Sequence, residues 1–163
     1  MPLMRPLTTN ERAETPGFTH VARITADDLT QATAAAAQTI DLAPIAKNDI
    51  ILRACGYVKT PFTALLAGVA DPAFNDSTVS IGDTSGVAAL AAAGQANGNG
   101  TPVNTLGTTA KLYTAADTLR CTVNSMTGKS LVNVNRGEYF VFVSLSRLAD
   151  VANAIASARI SKT

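Results

Sequence analysis

The feature that most constrains this chain is a series of short segments in which polar and apolar residues alternate. Each segment is bounded by glycine, proline, asparagine or aspartate, which end strands and form turns. Alternation with a period of two places one set of side chains on each face of a β-strand. The strongest segment, residues 139–145, is rich in aromatic and β-branched residues. Further strands are predicted over residues 37–42, 50–59, 78–82, 109–113 and 119–123.

Helical signals are confined to the two ends of this series. Residues 23–31 contain Thr25 as an N-cap with two aspartates in the following turn, which predicts a short helical turn. Residues 147–160 place apolar side chains at helical spacing and predict an amphipathic helix. Residues 32–37 are alanine-rich and prone to helix, and the alanine-rich residues 87–93 are ambiguous. Because no strand–helix–strand alternation is present, we predict an all-β protein with an antiparallel β-sandwich or jelly roll.

The length of 163 residues is typical of one domain, and its organisation is predicted in three parts. Residues 1–22 contain three prolines and no sustained apolar period, so they are predicted to form an extended N-terminal arm. Such an arm is either a disordered tail or a segment that lies on a neighbouring molecule. Residues 23–146 form the predicted β-domain, and residues 147–163 the short C-terminal helix and tail.

Composition and charge exclude several classes of partner. The net charge is +1, and the basic residues are scattered, so we expect no nucleic-acid partner. No apolar run approaches the roughly 18–20 residues of a membrane span, and we expect no membrane partner. Aromatic residues make up 5% of the chain and tryptophan is absent. A supply of large side chains this small predicts a flat core, or burial that a partner chain completes.

Residues that could support catalysis or hold a cofactor are few. His20 is the single histidine and lies in the predicted arm, where it could not be held beside a nucleophile. Cys55 and Cys121 lack zinc-site spacing, and they are either buried thiols or a disulfide. Residues 127–130 match the end of a phosphate-binding loop, but Val123 replaces its first glycine and residues 131–134 are read as strand. Possible oxygen ligands, expected to be solvated in loops, are Asp71, Asn75, Asp76 and Asp83.

These observations predict that the chain is not an enzyme and binds no cofactor. Sugar binding stays open, because a jelly roll can form a carbohydrate-binding module. The exposed aromatic platforms that such modules use are not evident, since Tyr139 lies inside a predicted strand.

Seven segments in order along the chain carry a resemblance to a known class of protein. They are ITADDLT (24–30), AQTIDL (37–42), VKTPF (58–62), TVSIGD (78–83), NGNGTPV (97–103), YTAADTL (113–119) and NRGEY (135–139). The series resembles small virion proteins of tailed bacteriophages, in particular capsid decoration (cement) proteins. The resemblance covers residues 24–146 and includes no catalytic motif.

What the resemblance implies is a structural virion protein that binds between capsid subunits and stabilises the shell. The implied partners are the major capsid protein and two further copies of the chain in a homotrimer. The implied location is the capsid surface, after synthesis in the cytoplasm of the bacterial host. The alternatives are a tail or head-fibre component and a module that binds a glycan or host surface. The arm supplies the predicted contact residues, which are Arg5, Pro6, Arg12, Phe18 and His20.

Overall fold

The computed structural model describes residues 4–66, 69–70, 77–96, 104–107, 110–126, 128–150 and 152. Within these residues most of the backbone is extended. The strands are β1 (Arg5–Pro6), β2 (His20–Thr25), β3 (Gln38–Ile45), β4 (Asp49–Thr63), β5 (Leu65–Leu66), β6 (Val69–Ala70), β7 (Thr78–Asp83), β8 (Gly86–Gln95), β9 (Thr105–Gly107), β10 (Lys111–Leu112), β11 (Asp117–Asn124) and β12 (Arg136–Arg147). The α-helix α1 (Thr9–Glu14) and 3-10 turns at Ala26–Asp28 and Leu131–Asn133 interrupt them.

The larger strands form two antiparallel sheets that share one core. The first sheet has the order β1-β2-β12-β4-β10, and β9 also pairs with β4. The second sheet has the order β3-β11-β7-β8, and β5 pairs only with β6. Side chains of both sheets meet in one cluster of buried residues. The prediction of an all-β antiparallel sandwich is therefore confirmed, while the jelly-roll connectivity within that class stays a prediction.

The core follows from the period of two in the strand sequences. On β11, Leu119, Cys121 and Val123 are buried, as their alternation predicts. The strongest predicted strand forms the middle of β12, where Tyr139 and Val141 point into the core. Each large apolar side chain buried in this way contributes about 1.5–3 kcal/mol to folding.

Strand β4 is the longest element, and it pairs with β12 from one end to the other in the first sheet. It extends the predicted strand at residues 50–59 through Pro61 to Thr63. Proline is tolerated here because the pairing with β12 is irregular on both sides of Glu138, opposite this stretch. A second irregularity, between Ser144 and Leu145, leaves Leu52 as an extra residue on β4.

Residues 4–22 do not form the extended arm that was predicted for residues 1–22. Arg5 and Pro6 pair with β2, which itself pairs with β12 in the middle of the sheet. Leu7 is buried, and α1 begins with a capping box in which Thr8 and Glu11 bond each other's backbone N–H groups. The spacing Thr8-x-x-Glu11 is a sequence signal for this helix. The prolines around it instead favoured the prediction of an extended arm.

Two further segments differ from what the sequence favoured, and the structure decides a third that the sequence left open. The alanine-rich residues 32–37 are prone to helix but form a turn, in which Ala35 has a φ of 62°. Residues 87–93 belong to strand β8, and Leu131–Asn133 form a 3-10 turn where a strand was predicted. The helical turn predicted after Thr25 is confirmed as the 3-10 turn Ala26–Asp28.

The predicted C-terminal helix is seen only at its start. Residues 148–150 and 152 are helical and follow β12 directly. The remainder of the predicted helix and tail lies outside the described residues.

Candidate interaction surface

Large aromatic side chains stand on the outer face of the first sheet. Alternation along β12 sends Tyr139 into the core and turns Phe140 and Phe142 outward, where both are half-buried. Cross-strand pairing places Phe140 beside Tyr57 of β4, whose side chain is 45% exposed. Phe18, just before β2, packs against Phe142 with ring centroids 5.9 Å apart, and Phe140 lies 6.1 Å from Phe142. We call Phe18, Tyr57, Phe140 and Phe142 the aromatic face.

Basic side chains cover two rings of the aromatic face. The Lys59 ammonium lies 5.7 Å from the Phe140 centroid, and the Arg53 guanidinium lies 4.6 Å from that of Phe18. Arg53 also donates to the carbonyl oxygens of residues 16 and 17, which holds the chain before β2 against the sheet. These cation–π contacts attract the basic groups to the rings by about 0.5–1 kcal/mol each at exposed sites.

A single carboxylate balances the basic side chains at one end of this face. Glu138 forms ion pairs with Arg23 of β2 and Lys59 of β4, the strands on either side of β12. The hydrogen bond from Arg23 lowers the pKa of the Glu138 carboxyl most, and the hydrogen bond from Lys59 lowers it further. Glu138 therefore stays ionised and keeps Lys59 near the Phe140 ring.

Helix α1 borders the opposite end of the aromatic face. Arg5 of β1 donates two hydrogen bonds to Glu11 of α1, at 2.6 and 2.8 Å. The hydrogen bond from Arg5 holds the pKa of Glu11 at about 2. A pocket of about 200 Å³ opens between α1, Phe140 and Phe142.

The five predicted contact residues come together at the β1–β2 edge but not on one face. Arg5 and Phe18 reach the aromatic face, and Arg12 is exposed on α1. Pro6 pairs with His20. By alternation along β2, the His20 side chain lies on the opposite face of the strand from those of Val21 and Arg23. His20 is half-buried beside the Thr19 hydroxyl. Burial lowers its pKa most, and the positive charges of Arg147 and Arg12 lower it further. Whether these five residues bind a partner stays a prediction.

Sequence reasoning missed the aromatic face itself. The sequence predicts Tyr57, Phe140 and Phe142 only as parts of strands, with both faces of residues 50–59 partly apolar. That reading contained a usable signal, because a strand that is apolar on both faces needs a cover on each. Only one face of β12 meets the second sheet, so the other face displays its rings.

A second cluster of interacting ionisable groups lies elsewhere, between the two sheets. Asp83 of β7 is fully buried and accepts hydrogen bonds from Lys111 at 2.6 Å, Tyr113 at 2.8 Å and Ser85 at 2.6 Å. Burial opposes ionisation, but these hydrogen bonds outweigh it and lower the pKa of Asp83 to about 2. Burial and the bond to Asp83 raise the pKa of Tyr113 far above its usual range.

This arrangement corrects the expectation that Asp83 is a solvated loop residue, while Asp71, Asn75 and Asp76 lie outside the described residues. A carboxylate that stays ionised at neutral pH and already has a cation and two further side-chain donors is a poor acid, base or nucleophile. The Asp83 cluster, made of Asp83, Ser85, Lys111 and Tyr113, instead joins β7 of the second sheet to β10 of the first.

The two cysteines are free thiols, so the disulfide alternative is not formed. Burial raises the pKa of Cys121, and burial likewise raises that of the half-buried Cys55. Across the described ranges, no group of three or more histidine, cysteine or acidic side chains could hold a metal ion. None of the helices among those residues has the length and hydropathy needed to cross a membrane.

Comparison with known proteins adds one likeness. No protein family matches this sequence, and no curated protein is significantly similar to it. Among solved structures, the chain is similar to one in the acidic stable capsid structure of Helicobacter pylori bacteriophage KHP30. The two share 12% identity and a TM-score of 0.47, over 77% of this chain and 83% of the other. The function is therefore argued from the residues of this chain.

Proposed function

We propose that this chain is a structural protein of a tailed-phage particle that decorates and cements the capsid by binding between capsid subunits. In this proposal the chain acts as a homotrimer on the capsid surface. The aromatic face contacts the major capsid protein, and side chains on other surfaces join the three copies.

The observation that carries the proposal is the aromatic face. Its rings lie on the side of the first sheet away from the core, outside the cluster of buried residues that the two sheets share. Aromatic residues and arginine are enriched in protein interfaces, where a few such anchors supply most of the binding free energy. A face of this composition supports binding to a protein surface.

The sequence resemblance supports the same function through the framework of the sandwich. Its described segments fall on β2, β3, β4, β7, β11 and β12 and on the turns next to them. These segments therefore specify strands and turns, as expected for a structural protein whose role depends on a stable β-framework. The proposed class of protein follows from this resemblance.

Exposed leucines support the proposed self-association. Leu52, Leu106 and Leu112 are each about half exposed or more, on the neighbouring strands β4, β9 and β10. A contact between these leucines and a different surface of the next copy would be heterologous, and three such contacts can close into a ring.

The proposal is tested by adding the purified chain to capsid shells assembled from the major capsid protein of the same phage. We expect saturable binding that raises the temperature at which the shells open. Tyr57→Ala should weaken binding about tenfold, because it removes an exposed interface anchor without touching the core. Val87→Ala, at a 55% exposed position on β8 of the second sheet, is the matched control and should bind as the wild type does.

Light scattering on the free chain tests the homotrimer, which should have three times the 16.8 kDa mass of the chain. Absence of binding to the shells would overturn the capsid function. If the wild type instead bound a glycan, and Tyr57→Ala abolished that binding, the glycan-binding alternative would replace it.

A further inference from the structure

The pocket between α1 and the aromatic face has an aromatic floor and an acidic rim. Phe140 and Phe142 form the floor, and Leu7 and Val21 contribute apolar walls. Glu11 and Glu14 of α1 lie at the rim. Its volume of about 200 Å³ suits one side chain and is small for a whole ligand molecule.

The two carboxylates at the rim differ in their partners. Glu11 is held by Arg5 and by the backbone and side chain of Thr8. Glu14 is exposed, and no described residue forms an ion pair or hydrogen bond with its carboxylate. The lining residues Arg5, Glu11 and Glu14 therefore leave one negative charge without a counter-ion at the pocket mouth.

The rings of this surface already attract basic groups. Lys59 lies over Phe140 and Arg53 over Phe18, each supplied by β4 of the same chain. Phe142 sits between these two rings, and within the described residues no cation lies over it. The pocket exposes this third ring next to the unpaired carboxylate of Glu14.

From this geometry we propose that the pocket receives one basic side chain, arginine or lysine, of the capsid subunit that the chain binds. The aliphatic part of that side chain packs between Leu7, Val21 and the two rings, and its charged end meets Glu14. The assignment follows from charge complementarity, and it rests on the proposed function for the identity of the partner.

The first experiment uses a small probe and needs no capsid. N-acetyl-arginine methylamide is titrated into the full chain, with ring resonances of 13C-labelled phenylalanine followed by NMR. We expect millimolar binding that shifts Phe140 and Phe142, while the uncharged citrulline analogue, which has nearly the same shape, produces little shift. Equal binding of the two compounds would overturn the proposal, because the charge would then play no part.

Variants of the chain separate the two contacts. Glu14→Gln should weaken binding of the arginine probe about three- to fivefold, and Phe142→Leu should weaken it similarly by removing the aromatic ring. Asp27→Asn, which removes an exposed carboxylate outside this pocket, is the matched control and should bind as the wild type does. An unchanged affinity of Glu14→Gln would overturn the proposed role of that carboxylate.

The second experiment uses shells and distinguishes this inference from the proposed function. Glu14→Arg should bind shells at least tenfold more weakly than the wild type, because it places a like charge where the partner's basic group must enter. If the wild type binds and Glu14→Arg binds equally well, the pocket proposal fails and the capsid function stands. If the wild type does not bind shells, the capsid function fails whatever the probe shows. Loss of self-association in Glu14→Arg would assign the pocket to a second copy and overturn the capsid assignment.

Discussion

The buried carboxylate of Asp83 accepts hydrogen bonds from side chains next to both sheets. Its three side-chain donors come from Ser85 after β7, from Lys111 on β10 and from Tyr113 after β10. Lys111 also donates to the Ser85 hydroxyl, so loss of the carboxylate removes the counter-ion of Lys111 and the acceptor of the Tyr113 hydroxyl. Breaking a buried pair in this way is among the most damaging single changes in a protein.

Asp83→Asn should therefore lower the free energy of unfolding by about 2–4 kcal/mol, measured by urea denaturation at pH 7. The lower end of the range applies because Lys111 is about one-third exposed and water can partly replace its partner. Asp41→Asn, which removes an exposed ion pair with Arg120, should change stability by less than about 1 kcal/mol. Equal effects of the two substitutions would show that burial of Asp83 contributes nothing.

The same carboxylate sets the acid limit of the fold. Its pKa is about 2 in the folded chain and near 3.8 when unfolded, so folding favours the ionised form. The stabilisation is complete above about pH 4 and is lost as the pH falls towards 2. His20, whose pKa is also lowered on folding, adds a smaller loss of stability below about pH 6.5. Thermal unfolding from pH 7 to 2.5 should show both steps, and the lower one should be smaller in Asp83→Asn, where other carboxylates with lowered pKa values, such as Glu11, still contribute.

Between elements, β9 and β8 approach each other closely, backbone against backbone. A methyl group on Gly107 would overlap the carbonyl oxygen of Leu90, which is backbone and cannot swing away. β9 also pairs with β4, so this contact brings the free edge of the first sheet onto the second. A glycine is required where two backbones approach this closely.

Gly107→Ala should destabilise the chain by about 1–3 kcal/mol, because β9 must shift away from β8 to make room. Gly86→Ala, whose added methyl group would meet its nearest neighbour at 3.9 Å, should change stability by less than about 1 kcal/mol. Calorimetric melting temperatures of the two variants provide the comparison. A Gly107→Ala variant as stable as Gly86→Ala would mean that β9 does not press against β8.

For the molecule as a whole, the segment before β2 belongs to the folded domain. Leu7 is buried, and Thr19 bonds β12 through its backbone and its hydroxyl. Deletion of residues 1–20 should lower the free energy of unfolding by about 2–4 kcal/mol and the melting temperature accordingly, because it removes this burial and these bonds. If the truncated chain had the same melting temperature as the wild type, residues 1–20 would be a detachable arm as predicted from the sequence.

The sequence by itself determined the longer predicted strands and most of their faces, because the period of two is a local property, whereas β2 and β8 were not predicted as strands. Leu119, Cys121 and Val123 point inward as their alternation predicts, and the Thr25 cap begins its turn where predicted. Local patterns were misleading where tertiary contacts decide between structures of similar local stability. The alanine-rich residues 32–37 and 87–93 illustrate this, since one became a turn and the other a strand.

Only the tertiary structure decided which strands are neighbours, and therefore where the candidate interaction surface lies. Tyr57 and Phe140 are more than 80 positions apart in the sequence, and they meet because β4 pairs with β12. Likewise, β12 is apolar on both faces, so its pattern could not tell which rings the second sheet would cover. Pairing between distant strands depends on the packing of the whole core, and no local pattern encodes it.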